Sequence, residues 1–252
     1  MKKWSTCLAQ TAKIIYPLQS ERKVFSDLLQ IILRKKTPIN FLDYNRVTPV
    51  SPIFGLDRGT PIDRYYIERF LESQSHLFKG RTLEIGDSTY SKRFGDGRVG
   101  AFEVLNVTSS NPETTIVGDL TDMATLPNEI IDCFICTQTF NFIFDVKKAL
   151  VGAHHLLKPG GVMLATVAGI SQISRFDMDR WGDYWRFTTA SVYKLLEPIF
   201  SGEVEIVSFG NVLAATAFLQ GVTVEDLPKV SLLDFHDPDY QMLIGIIARK
   251  GL

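Results

Sequence analysis

The sequence predicts an α/β fold, a mostly parallel sheet with helices on both faces. Three observations predict it. Strand-like and helix-like segments alternate from about residue 63 onward. The central strand candidates, "IIDCFICTQ" and "VMLATVAG", are continuous apolar runs, as strands buried on both faces are. The helix candidates between them carry apolar residues at i, i+3 and i+4.

The chain has 252 residues and 45% hydrophobic content, which suits one globular domain with an added subdomain. Its net charge of −1 gives no reason to expect nucleic acid or an anionic membrane as partner. Residues 1–36 read as helical: Val24, Phe25, Leu28, Leu29, Ile32 and Leu33 form one apolar stripe, and the basic cluster after it suits a helix C-terminus. Residues 37–62 hold Pro38, Pro49, Pro52, Pro61, Gly55 and Gly59 and read as a loop. Residues 1–62 are thus an N-terminal extension, and residues 63–252 the α/β domain.

The domain opens with "DRYYIERFLESQSHLF", in which Asp63 is expected as N-cap and Tyr66, Ile67, Phe70 and Leu71 as the buried stripe. Strand "RTLEIG", a short helix or loop, strand "AFEVLNV" and the segment "TTIVGDL" follow. After the buried strand come helix "DVKKALVGAHHLL", turn "KPGG" and strand "VMLATVAG". A helix begins near Thr189, and two strands close the chain. The last, "YQMLIGIIAR", follows closely on a loop and is expected as an antiparallel partner inserted into the sheet.

Cys133 and Cys136 form a CxxC, but inside a strand, where residues three apart point to opposite faces. A redox pair needs a turn and a helix N-terminus. Both are expected in the core. With Cys7 they make an odd count without a secretory signal, which points to the cytoplasm. No segment reaches the roughly 18 apolar residues of a membrane helix. There is no His-x-x-x-His, and no metal is expected.

The stretch "TLEIGDSTYSKRFG" carries the first chemical signal. Gly86 follows the strand, and in open α/β sheets ligands bind outside the carboxyl ends of strands, where glycine permits close approach. The ordered set "LEIG … GDLTD … DCFICTQ … LLKPGGVML" resembles class I S-adenosylmethionine-dependent methyltransferases. "PIDRYYIERF", "LEIGDSTYSKRFG" and "ISRFDMDRWGDYWRFT" are similar to a bacterial group found beside glycosyltransferases and in natural-product gene sets. The resemblance implies a Rossmann-like, seven-stranded fold and S-adenosylmethionine as cofactor. It implies that Glu84, Gly86, Asp87 and Ser88 line the methionine side, that Asp119 and Leu120 border the adenine, and that Thr137 and Gln138 lie near the sulfonium. Tyr65 would close over the cofactor. Two departures stand out. Ser88 replaces the second glycine, and the second strand ends in Asn106, Val107 and Thr108 where an acidic residue usually meets the ribose: the carboxylate is expected at Thr108, and Asn106 or Thr108 is a neutral and weaker acceptor.

The insertion "GISQISRFDMDRWGDYWRFTTASV", residues 169–192, mixes charge with aromatic surface as binding loops do. Asp177, Asp179 and Asp183 are candidate general bases, with His155 behind them. Arg175, Arg180 and Arg186 would grip an anionic group on an acceptor, and Trp181 and Trp185 would stack on it. The expected activity is methyl transfer to a small molecule or glycan at an oxygen. The rival is a protein of this fold that has lost methylation, as a partner subunit or as an enzyme of another reaction such as a cyclisation. A homodimer is a candidate assembly.

Overall fold

A computed structural model describes residues 46–252; the helix expected within residues 1–36, and Cys7, lie outside the described residues. Seven strands form one sheet: β1 (Gly80–Ile85), β2 (Val99–Asn106), β3 (Ile116–Val117), β4 (Ile131–Thr137), β5 (Leu157–Ala168), β6 (Val204–Phe209) and β7 (Leu243–Arg249). Their order is β3-β2-β1-β4-β5-β7-β6. β7 is antiparallel to both β5 and β6, as expected of the last strand, and all other pairs are parallel.

Two apolar layers cover the sheet. One holds α1 (Ile62–Ser73) and α6 (Val212–Leu219); the other holds α3 (Val146–Leu156) and α5 (Thr189–Leu196). Cys133 packs in the first layer and Cys136 in the second, as a three-residue step along a strand requires. Burial pushes both thiols up, Cys136 to about 12, so neither supplies a thiolate near neutrality.

The helix starts follow from local chemistry. Asp145 caps α3 by accepting from the Lys148 N–H, and Thr188 and Ser191 form a capping box on α5. In α1 the expected cap is corrected. Pro61, with φ −56°, occupies the N-cap position, and Asp63 lies inside the first turn. With ψ 145° Pro61 is extended, and it offers no side-chain cap to the N–H groups of the helix's first turn. The connection from β2 to β3 holds no helix, only residues 107–115.

Residues 46–61 are fastened to the C-terminal part of the domain. Arg58, 4% exposed, pairs with Asp226 at 3.1 Å. Thr60 bonds Glu225 through both its N–H and its hydroxyl, and Pro61 bridges to Thr223. At the far face, α1 lies so close to β7 that a Cβ on Gly245 would come 2.8 Å from the Phe70 ring.

Candidate functional site

Parallel pairing brings the carboxyl ends of β2, β1, β4 and β5 side by side. Gly86, Asn106, Gln138 and Ala168 therefore occupy one rim of the sheet. Gly86 has φ +86°, the left-handed region, and a Cβ built there meets nothing within 4 Å. The turn thus leaves open space where a ligand would approach the backbone.

Glu84 is 3% exposed and both its oxygens are used. They accept from the backbone N–H groups of Ser91 at 2.6 Å and Tyr90 at 3.1 Å, inside the first turn of α2 (Thr89–Phe94). Its carboxylate thus satisfies helix N–H groups that have no partner within the helix. Burial raises its pKa against these bonds. Asp87 is exposed and bonds the Thr89 N–H. Ser88 is buried and donates to Glu113, on the β2–β3 connection.

That connection lies across the first turn. Asn111 donates to the Gly86 carbonyl at 2.5 Å, and Asn106 donates to Thr114 at 2.8 Å and more weakly to Gly86. Asn106 thus spends its amide within the protein. Thr108, standing where an acidic residue is usual, pairs with Ser110. On the next turn, Asp119 is exposed and accepts twice from Thr121 through one oxygen, leaving the other toward solvent. Leu120 is buried, its carbonyl against Gly152 of α3, where a Cβ would come within 2.0 Å.

At the end of β4, Gln138 holds a left-handed backbone, φ +48°. Its N–H donates to the Thr166 carbonyl of β5 at 2.8 Å. Thr166, the cross-strand neighbour of Thr137, keeps a fully buried hydroxyl with no hydrogen-bond partner among the described residues. An orphan hydroxyl two residues from the rim and open space at Gly86 fit a polar ligand over the ends of β1 and β4.

Two α1 residues diverge. Tyr65 bonds Asp234 at 3.0 Å, and its hydroxyl also accepts from Arg69. Asp63 lies on the other side, near enough to Tyr90 for their charges to interact. Burial pushes its carboxyl up to about 6. The sequence showed Asp63 only as a cap, two residues beyond the N-cap position that Pro61 takes.

The insertion is a closed unit around Asp183, whose side chain is 1% exposed. Arg186 grips both oxygens of Asp183, at 2.6 and 2.9 Å, and gives its other donors to the carbonyls of Ser171, Gln172 and Trp185. All five guanidinium N–H groups are used within the loop, which leaves none for an anionic acceptor. Asp177 accepts from Ser174 and from the Trp181 indole. Asp179 is exposed and, among the described residues, its side chain pairs with Arg175 alone, at 3.4 Å. Arg180 stacks on Phe176 at 3.5 Å. Trp185 donates to the carbonyls of Ile143 and Phe144 and stacks on the Phe144 ring at 6.2 Å. His154 and His155 sit at the C-terminal end of α3, immediately before β5 begins, hence at the opposite edge of the sheet from the rim.

Residues 101–165, β2 to most of β5, match the methyltransferase domain family. The fold is that of the class I methyltransferases. Among solved structures, the [4+2]-cyclase SpnF is 14% identical, with 77% of this chain and 85% of that one covered and a TM-score of 0.51. A protein assigned as a sarcosine dimethylglycine methyltransferase from Galdieria sulphuraria is 15% identical, with 75% and 86% covered and a TM-score of 0.50. At these identities the likeness is one of fold. No curated protein matches the chain. The domain match supports S-adenosylmethionine as cofactor and a methyltransferase as the class.

Proposed function

We propose that the chain transfers the methyl group of S-adenosylmethionine to an oxygen of a small-molecule or glycan acceptor. The observation that carries this reading is the rim itself. Gly86, Asp87, Asp119, Thr137 and Gln138 converge on the carboxyl ends of β1, β3 and β4, within a chain whose residues 101–165 match a methyltransferase domain.

In this reading the cofactor supplies a methyl group made electrophilic by a cationic sulfonium. The chain's own residues bind, orient and exclude water. The Gly86 turn cradles the amino-acid end, with Ser88 shaping it through Glu113, Asp119 offers its unused oxygen to the adenine side, and Asn106, its amide nitrogen spent on Thr114, has only its amide oxygen to offer the ribose side. Asp63, half-buried, and Glu84, buried, place two carboxyl groups near a ligand that carries positive charge, which favours their ionised forms. Placing the acceptor about 3 Å from the methyl falls to the insertion, whose aromatic rings border the end of β4. Asp179 is the insertion carboxylate with lone pairs left to take a proton from an acceptor hydroxyl. The exposed Arg175 and Arg180 keep donors for an anionic group, whereas Arg186 shapes the loop.

A second reading is favoured by one observation. Thr108 stands where a carboxylate is usual and is paired with Ser110, Asn106 beside it is bonded to Thr114, and one structure of similar fold is a [4+2]-cyclase. A chain that binds the cofactor as a structural element and runs another reaction fits both facts. Turnover separates the two: the methyltransferase reading requires S-adenosylhomocysteine to accumulate in step with a methylated acceptor. Substrate consumption without S-adenosylhomocysteine would establish the second.

A further inference from the structure

Asn141 lies in the turn after β4, between Phe140 and Phe142, and is 2% exposed. An amide buried among apolar neighbours is costly unless each of its polar groups is paired. Here they are. Its Oδ1 accepts from the Ala168 N–H at 3.1 Å, at the end of β5. Because a backbone N–H can only donate, this bond fixes which way the amide points. The Nδ2 group then donates to Oε1 of Gln138 at 2.9 Å. Its backbone carbonyl, held in place by these two side-chain bonds, accepts from the Tyr184 N–H at 2.9 Å and from the Trp185 N–H at 3.2 Å.

One residue therefore touches three parts of the site: the ends of β4 and β5, and the aromatic stretch of the insertion. What it holds at β4 is strained. Gln138 has φ +48°, which a residue with a side chain adopts only when its surroundings impose it. Two bonds impose it, one from its own N–H to Thr166 and one to its side chain from Asn141.

We infer that Asn141 is the positioning residue of the site. It fixes the end of β4, where the cofactor would bind, and the Tyr184–Trp185 segment, where the acceptor would bind, in one shared arrangement. It touches neither ligand and acts through Gln138 and the insertion. The inference rests on the methyltransferase reading for the identity of the two ligands, but the coupling it describes is a property of the chain.

The test uses the full chain, with Asn141→Asp, Asn141→Ala and the control Asn211→Ala. Asp keeps the acceptor for Ala168 and removes the donor to Gln138. Asn211 is an equally buried asparagine that caps α6 and bonds the carbonyls of Leu232 and Phe235. Calorimetric titration gives S-adenosylmethionine affinity, hydrogen exchange gives the opening of the Tyr184 and Trp185 amides, and melting confirms folding. Both Asn141 variants should lose about tenfold in affinity, the scale of one buried hydrogen bond. Exchange at Tyr184 and Trp185 should quicken as well, because their shared acceptor, the backbone carbonyl of residue 141, loses the side-chain anchoring that fixes it. Asn211→Ala should lower the melting temperature and change neither readout. Folded Asn141 variants with wild-type affinity and wild-type exchange overturn the inference, as does an equal loss in Asn211→Ala. If the wild type itself does not bind S-adenosylmethionine, the methyltransferase reading fails, and the exchange measurement still decides the role of Asn141.

Discussion

Glu84 shows how one carboxylate serves structure at a site. Both oxygens cap α2, so Glu84→Gln puts an amide N–H against a backbone N–H. That exchange should cost about 2 kcal/mol in urea unfolding, the scale of lost hydrogen bonds to a charged group. Asp119→Ala removes a turn bond and the oxygen offered to the cofactor, and should weaken S-adenosylmethionine by about 1–3 kcal/mol in calorimetry. Asp63 gives a pH signature. Its carboxyl rises from 3.8 to about 6 on folding. The folded state therefore holds the proton more tightly, and the stability this contributes is present below about pH 4 and lost as pH rises through 6. Asp63→Asn should unfold at higher denaturant than wild type at pH 8, by about 2 kcal/mol, with little difference at pH 4. Urea curves at the two pH values decide it; a gain at pH 4 alone would reverse the sign. None of this was legible in the residue types. Glu84 and Asp63 were visible as acidic positions near a glycine turn, but which donors they face depends on where α2 and α1 begin.

At the scale of elements, the sequence showed most of what position alone determines. Apolar runs located β4 and β5, the step from Cys133 to Cys136 placed them on opposite faces, and the loop before β7 announced an antiparallel strand. The insertion was legible as a unit by its charge and aromatic content, but its wiring was not. Arg186 and Asp183 are three residues apart and bond in a fork whose closure depends on the carbonyls of Ser171 and Gln172, which sequence cannot orient. Asn141 was missed for a related reason: a single polar residue in "QTFNFIFD" gives no signal until β5 and the insertion fold onto it. The ion pair leads to a prediction for the whole loop. Arg186→Ala leaves the Asp183 carboxylate buried without its partner, a loss of about 3–5 kcal/mol. Limited proteolysis should then cut within residues 170–188 while the sheet remains protected. Uniform protection in the variant would mean that the loop is held by its aromatic contacts instead.

For the whole molecule, sheet order decides where chemistry can occur. Parallel strands β1 to β5 place their carboxyl ends on one rim; the antiparallel β7 lies between β5 and the edge strand β6, whose carboxyl end at Phe209 is level with Ala168. The rim brings together Gly86, Asn106, Thr137 and Gln138, residues spread over three separate segments of the chain. His154 and His155 fall at the opposite edge, so the insertion carboxylates lack a histidine behind them. Among the described residues, no helix is long and apolar enough to cross a membrane. The central claim is that this rim binds S-adenosylmethionine. Isothermal titration of the full chain with S-adenosylmethionine tests it most directly. The account predicts saturable one-site binding, weakened in Asp119→Ala. Absence of heat and of any thermal shift at millimolar cofactor would contradict it.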